Sequence, residues 1–68
     1  MTVASQVKQT ISSLKGVQGT LRIYSNQTRD QETKTVFDEA LNVTDDVIKD
    51  MEKRLQTLEF EEPQYKGN

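Results

Sequence analysis

The chain contains no cysteine, no histidine and no tryptophan, and only one proline and three glycines. Without cysteine there can be no disulfide, no thiolate zinc site and no cysteine nucleophile. Without histidine, the commonest general base and the commonest transition-metal ligand are both missing. No uninterrupted apolar run exceeds three residues, far short of the ~20 that cross a bilayer, so no transmembrane segment is expected. No apolar core of signal-peptide type follows Met1, so no export leader is expected. The absence of cysteine suits a reducing compartment. Lys15-Gly16-Val17-Gln18-Gly19 is too sparse in glycine, and lacks the strand context, to cradle a phosphate.

Apolar residues are also scarce, at 32 % of the chain against 29 % charged. Sixty-eight residues make one domain at most. A chain of this size gains little from a single core and usually needs a disulfide, a metal or a partner chain. With cysteine and histidine gone, a partner chain is the staple that remains.

The charges that are present are strongly ordered. Lys8, Lys15, Arg22 and Arg29 recur every seven residues and are the only charged side chains before Asp30. All eleven acids lie beyond them, and Asp38, Asp45, Glu52 and Glu59 again recur every seven. Seven residues are close to two helical turns, so each set should form one stripe on one helix face. The net charge of −2 therefore hides a basic first part and an acidic second part.

The apolar residues carry the same period. In heptad letters, the first segment has Val7, Leu14 and Leu21 at a, Val3, Thr10, Val17 and Tyr24 at d, and Ile11 at e. The second has Phe37, Thr44, Met51 and Leu58 at a, and Ala40, Val47 and Arg54 at d. Leu41, Ile48 and Leu55 lie at e, Val36 and Val43 at g. The spacing predicts a helix over about 3–25, a turn over about 26–29 and a helix over about 30–61, followed by a tail at 63–68 after Pro63. Thr2 is the expected cap of the first helix. Thr28 with Gln31 makes a capping box for the second, with Asp30 as the alternative. Gly16 and Gly19 mark either a weak spot or a place where another helix comes close.

The fold class expected is all-α: an antiparallel two-helix hairpin that pairs into a four-helix bundle as a homodimer or higher even oligomer. An a/d seam would join Tyr24 with Phe37, Leu21 with Ala40 and Leu14 with Val47. The two charge stripes would flank the same groove, with Arg22 near Asp38, Lys15 near Asp45 and Lys8 near Glu52. The e and g residues Val36, Leu41, Val43, Ile48 and Leu55 would be only partly covered, leaving an outer face for a second hairpin. Arg54, the one charged inward residue, would reach water at the open end.

Carboxylates are the only candidate catalytic groups. Asp38–Glu39, Asp45–Asp46 and Glu61–Glu62 are neighbours in sequence, so on a helix they point in different directions. A di-metal carboxylate bundle needs inward glutamates and Glu-x-x-His; this chain has neither. No catalytic residue, cofactor or metal site is expected, and the chain reads as a non-enzymatic assembly or interaction protein. The alternative is a peripheral binder of anionic lipid or nucleic acid through Lys8, Lys15, Arg22 and Arg29. Aromatic residues do not interleave with that stripe, and its charges are one per two turns, which argues against nucleic acid. Pro63, Gln64, Tyr65, Lys66 and Gly67 form a candidate partner-binding tail.

Both ends of the chain carry a resemblance. Thr2-Val3-Ala4-Ser5-Gln6-Val7-Lys8-Gln9-Thr10-Ile11, Ser13-Leu14-Lys15-Gly16 and Glu61-Glu62-Pro63-Gln64-Tyr65-Lys66-Gly67 resemble a small bacterial family, domain of unknown function 1657, of endospore-forming Firmicutes. Lys34, Phe37, Glu39 and Ala40 match more loosely, while Gly19 and Val43 depart from the pattern. Members are often encoded beside spore inner-membrane channel proteins. The resemblance implies a sporulation- or spore-associated accessory role with a spore membrane protein as partner. It also implies a place in the cytoplasm or spore interior, peripheral to the spore inner membrane. It implies no catalytic residues.

Overall fold

Thr2 starts the first helix. Its hydroxyl accepts the Ser5 N–H at 3.1 Å and its carbonyl accepts the Gln6 N–H at 3.0 Å, satisfying donors that a helix start leaves open. In the computed structural model, which describes residues 2–61, this helix, α1, runs Val3–Gln27 and a second, α2, runs Gln31–Glu61. Thr28 ends α1 in an extended conformation, its N–H still bonded to the Tyr24 carbonyl at 3.0 Å. Of the two caps open for the second helix, Asp30 is the one used. Its carboxylate accepts the Thr33 N–H at 3.0 Å and the Thr33 hydroxyl. Threonines within the helices are accommodated by bonding back one turn, as Thr10 does to Gln6 and Thr35 to Gln31.

The helices lie antiparallel. Lys8 meets Glu59 at the open end, and Ser25 meets Asp38 beside the turn. The hairpin is a flat plate of 49 × 17 × 11 Å. All-α hairpin architecture is thus as the heptads predict; the rotation of the helices is not.

The seam runs along a and e, not a and d. Ala4, Ile11 and Ile48 are the buried apolar residues, with Val7, Leu14, Leu21, Phe37, Leu41, Met51, Leu55 and Leu58 half-buried around them. Val3, Val17, Tyr24 and Val47, expected in the seam, are exposed, as is Thr10, although Tyr24 keeps its expected ring contact with Phe37. Leu41, Ile48 and Leu55, expected on an outer face, line the seam instead. Both a/d and a/e stripes repeat with three- and four-residue steps, so periodicity alone permits either. The side chains of α2 decide between them. The e row offers Leu41, Ile48 and Leu55, each worth ~1.5–3 kcal/mol when fully buried, whereas the d row offers Ala40, Val47 and an arginine. Arg54 is accordingly turned outward, its Nε 3.0 Å from Asp50, rather than held at an inward site.

On α1 the same rotation brings Gln18 and Ser25 inward, and both find partners. Gln18 Nε2 donates to Thr44 Oγ1 at 3.3 Å and to the Leu41 carbonyl at 3.5 Å. Ser25, only 3 % exposed, donates its hydroxyl to Asp38 and accepts from Lys34 Nζ at 3.1 Å. Between these two polar layers the rings of Tyr24 and Phe37 meet at 5.8 Å, tilted by 50°. Gly16 and Gly19 have open space where a Cβ would stand, so neither marks a close approach of α2.

Candidate interaction surfaces

The a/e seam gives the plate two unlike flanks. Position b of both helices lies on one flank; positions d and g of both lie on the other.

The b flank carries the two charge stripes, and they do pair, but one heptad away from the expected register. Lys8 Nζ lies 3.0 Å from Glu59 and Lys15 Nζ 3.3 Å from Glu52. The expected partners, Glu52 for Lys8, Asp45 for Lys15 and Asp38 for Arg22, are passed over. The reason is the lean of helical side chains toward their own N-terminus. In an antiparallel pair Lys15 leans toward the open end and the α2 acids lean toward the turn. Residues level with one another therefore diverge, while Lys15 and the more distal Glu52 converge. Asp38 and Asp45 are used locally, by Lys34 at 3.6 Å and Lys49 at 2.9 Å.

Three groups titrate away from their ordinary values. The Lys49 ammonium holds the Asp45 carboxyl below its usual value, chiefly by its hydrogen bond, which outweighs an opposing desolvation, with smaller help from the Lys49 charge, Gln18 and Arg22. The same contact, chiefly the hydrogen bond to Asp45, raises Lys49. At the turn, Thr33 lowers Asp30 through its hydroxyl and then its backbone N–H. These are the signatures of surface pairs and a helix cap. Among the described residues no group of three or more acids could hold a metal ion, and no pocket opens. None of their helices is long and apolar enough to cross a membrane.

The d/g flank has no comparable pairing near the turn. Val17 and Tyr24 on α1 and Val36, Val43 and Val47 on α2 are 43–62 % exposed. The flanking d and g residues Thr10, Ser13, Thr20 and Ala40 are uncharged. The first charges on this flank are Asp50 and Arg54, toward the open end, and they neutralise each other. Val36 and Val43 were legible as outer residues. Val17, Tyr24 and Val47 were not, because the heptad reading placed them in the seam. The inward Gln18 and Ser25 were also missed; their signal was the seven-residue spacing they share with Ile11.

The candidate tail, Pro63, Gln64, Tyr65, Lys66 and Gly67, lies outside the described residues.

The family described as "Protein of unknown function (DUF1657)" matches residues 7–55, from the second turn of α1 to the seventh turn of α2. No curated protein and no solved structure matches the chain. Residues 2–6 and 61–67, where much of the sequence resemblance lies, fall outside that match, but most of both helices and the whole turn fall inside it. By that span, the chain belongs to the family of proteins of unknown function DUF1657.

Proposed function

We propose that this chain is a non-enzymatic helical assembly protein, acting through self-association and through docking onto another protein. The observation that carries the reading is the uncharged apolar flank of a hairpin whose buried apolar core, among the described residues, is only Ala4, Ile11 and Ile48. So thin a core, with no disulfide available, makes association a valuable added source of stability. Light scattering at micromolar concentration tests it: the expected mass is at least twice the 7.8 kDa of one chain. A folded monomer would overturn the reading.

The family resemblance extends the proposal to a spore-associated role beside a membrane protein, with residues 63–67 as a docking segment. Pull-down from spores with the full chain and with residues 62–68 removed tests this part. Equal recovery of partners would rule the tail out.

The alternative, a binder of anionic lipid or nucleic acid through Lys8, Lys15, Arg22 and Arg29, draws less support. Lys8 and Lys15 face acids at ion-pair distance, and an anionic ligand would have to displace them. Absence of binding to anionic vesicles and DNA at low ionic strength would dismiss it.

A further inference from the structure

We infer that the d/g flank is the contact between two copies of this chain, with α1 of each copy lying over α2 of the other and both turns at the same end. The inference rests on the self-association proposed above and assigns it a face and a geometry.

Size is the first argument. The broad face of the plate outlines 49 × 17 Å, on the order of 800 Å², so a second copy lying along its full length, over the uncharged stretch and the Asp50–Arg54 end together, reaches one partner's share of a standard stable interface. Chemistry is the second. Between Thr10 and Tyr24 on α1, and between Val36 and Val47 on α2, the flank has no charge, so it offers nothing to a phosphate or an anionic lipid. Its side chains are valine, threonine, serine and alanine with one tyrosine. That is helix-packing material, without the large side chains and cationic border of an interfacial membrane helix.

Symmetry then selects the arrangement. Two hairpins stacked on this flank obey a two-fold axis lying either along the helices or across them. The lengthwise axis puts each turn-proximal apolar half against the other and leaves the Asp50–Arg54 ends together at the far end. The crosswise axis would lay each apolar half on the charged half of its neighbour. Net helix charge, acting only through the thickness of the plate because the α1 bases lie on the b flank, points the same way: α1 carries three bases and no acid, whereas α2 carries nine acids and four bases. Lengthwise symmetry sets α1 over the partner's α2; crosswise symmetry sets like over like. The lengthwise bundle is also antiparallel between all neighbouring helices, as in up-and-down four-helix bundles. In it Tyr24 approaches the partner's Val36, and Val17 approaches the partner's Val43.

The test measures mass for the full chain, for Val43→Glu, and for Asn42→Glu, which adds the same charge one residue away on the polar side. The expected result is a dimer for the full chain and for Asn42→Glu, and at least a hundredfold weaker association for Val43→Glu. A Val43→Glu chain that dimerises like the full chain overturns the face assignment while leaving self-association standing. A folded monomeric full chain overturns both. If Val43→Glu loses its helical signal along with its mass, single cysteines decide. Mixed Val17→Cys and Val43→Cys chains should form a disulfide-linked heterodimer on oxidation; failure to form one overturns the arrangement.

Discussion

Lys15 and Val17 sit two residues apart on α1 and face opposite flanks of the same plate. Lys15 meets Glu52 across the groove, while Val17, like Val43 and Val47, is left exposed. An exposed ion pair of this kind contributes ~0–1 kcal/mol, so the b flank gains little by being satisfied. Fully burying one valine contributes ~1.5 kcal/mol or more, and five large apolar side chains are waiting on the d/g flank. The difference teaches where each kind of information is used. Charge periodicity orients the two helices within a chain, whereas the apolar residues left outside the seam have most to gain from a second surface.

The sharpest way to break this comparison is to ask where the seam ends and the uncharged flank begins. Ile48 and Val47 are adjacent, yet Ile48 is 3 % exposed and Val47 is 43 % exposed. Ile48→Ala should lose ~2–5 kcal/mol of stability by urea denaturation. Val47→Ala, measured at concentrations low enough to keep the chain monomeric, should stay within ~0.5 kcal/mol of the parent. Equal losses would return the seam to a/d and remove the flank altogether.

A second test separates the turn from the ion-paired flank by pH. Asp30 and Asp45 have lowered folded values, so their contribution is fully present above the ordinary 3.8 and is lost as pH falls through the folded values. Lys49 is raised, so its contribution is present below the ordinary 10.5 and is lost as pH climbs through its folded value. Thermal midpoints followed by circular dichroism should therefore be level between about pH 5 and 9 and fall at both ends. Asp30→Asn keeps a capping side chain but removes the titration, so it should flatten part of the acid limb. Identical acid limbs for the two chains would assign all the acid sensitivity to the flank pairs.

What could be read in sequence, and what could not, follows from how local each cause is. The helices, the short polar turn and the Thr2 cap depend on neighbours within four residues. They were visible for that reason. The rotation of the helices depends on comparing two rows across the whole chain: Leu41, Ile48 and Leu55 against Ala40, Val47 and Arg54. Hydrophobic period does not make that comparison, and Gln18 and Ser25, polar and inward, disguised the winning row on α1. The ladder failed for a different reason. Sliding one stripe by seven residues maps it onto itself, so the spacing that revealed both stripes was blind to which member of one meets which member of the other.

That blindness makes the smallest expected effect the most discriminating. Lys15→Glu should destabilise the hairpin by no more than ~1 kcal/mol. Adding Glu52→Lys should recover most of the loss, because the two side chains converge along the groove. Adding Asp45→Lys should recover none. It places a lysine that leans away from residue 15 and also removes the Asp45–Lys49 pair. A double-mutant cycle on thermal midpoints resolves the difference as a coupling of a few tenths to ~1 kcal/mol for one pair and none for the other. Equal rescue by both would mean that side-chain lean does not choose the partner and that the stripes act as a smeared field. In either case the oligomeric mass should not change. A shift in mass on reversing Lys15 would bring the charged flank into the contact between copies, and the contrast between the two flanks would fail there.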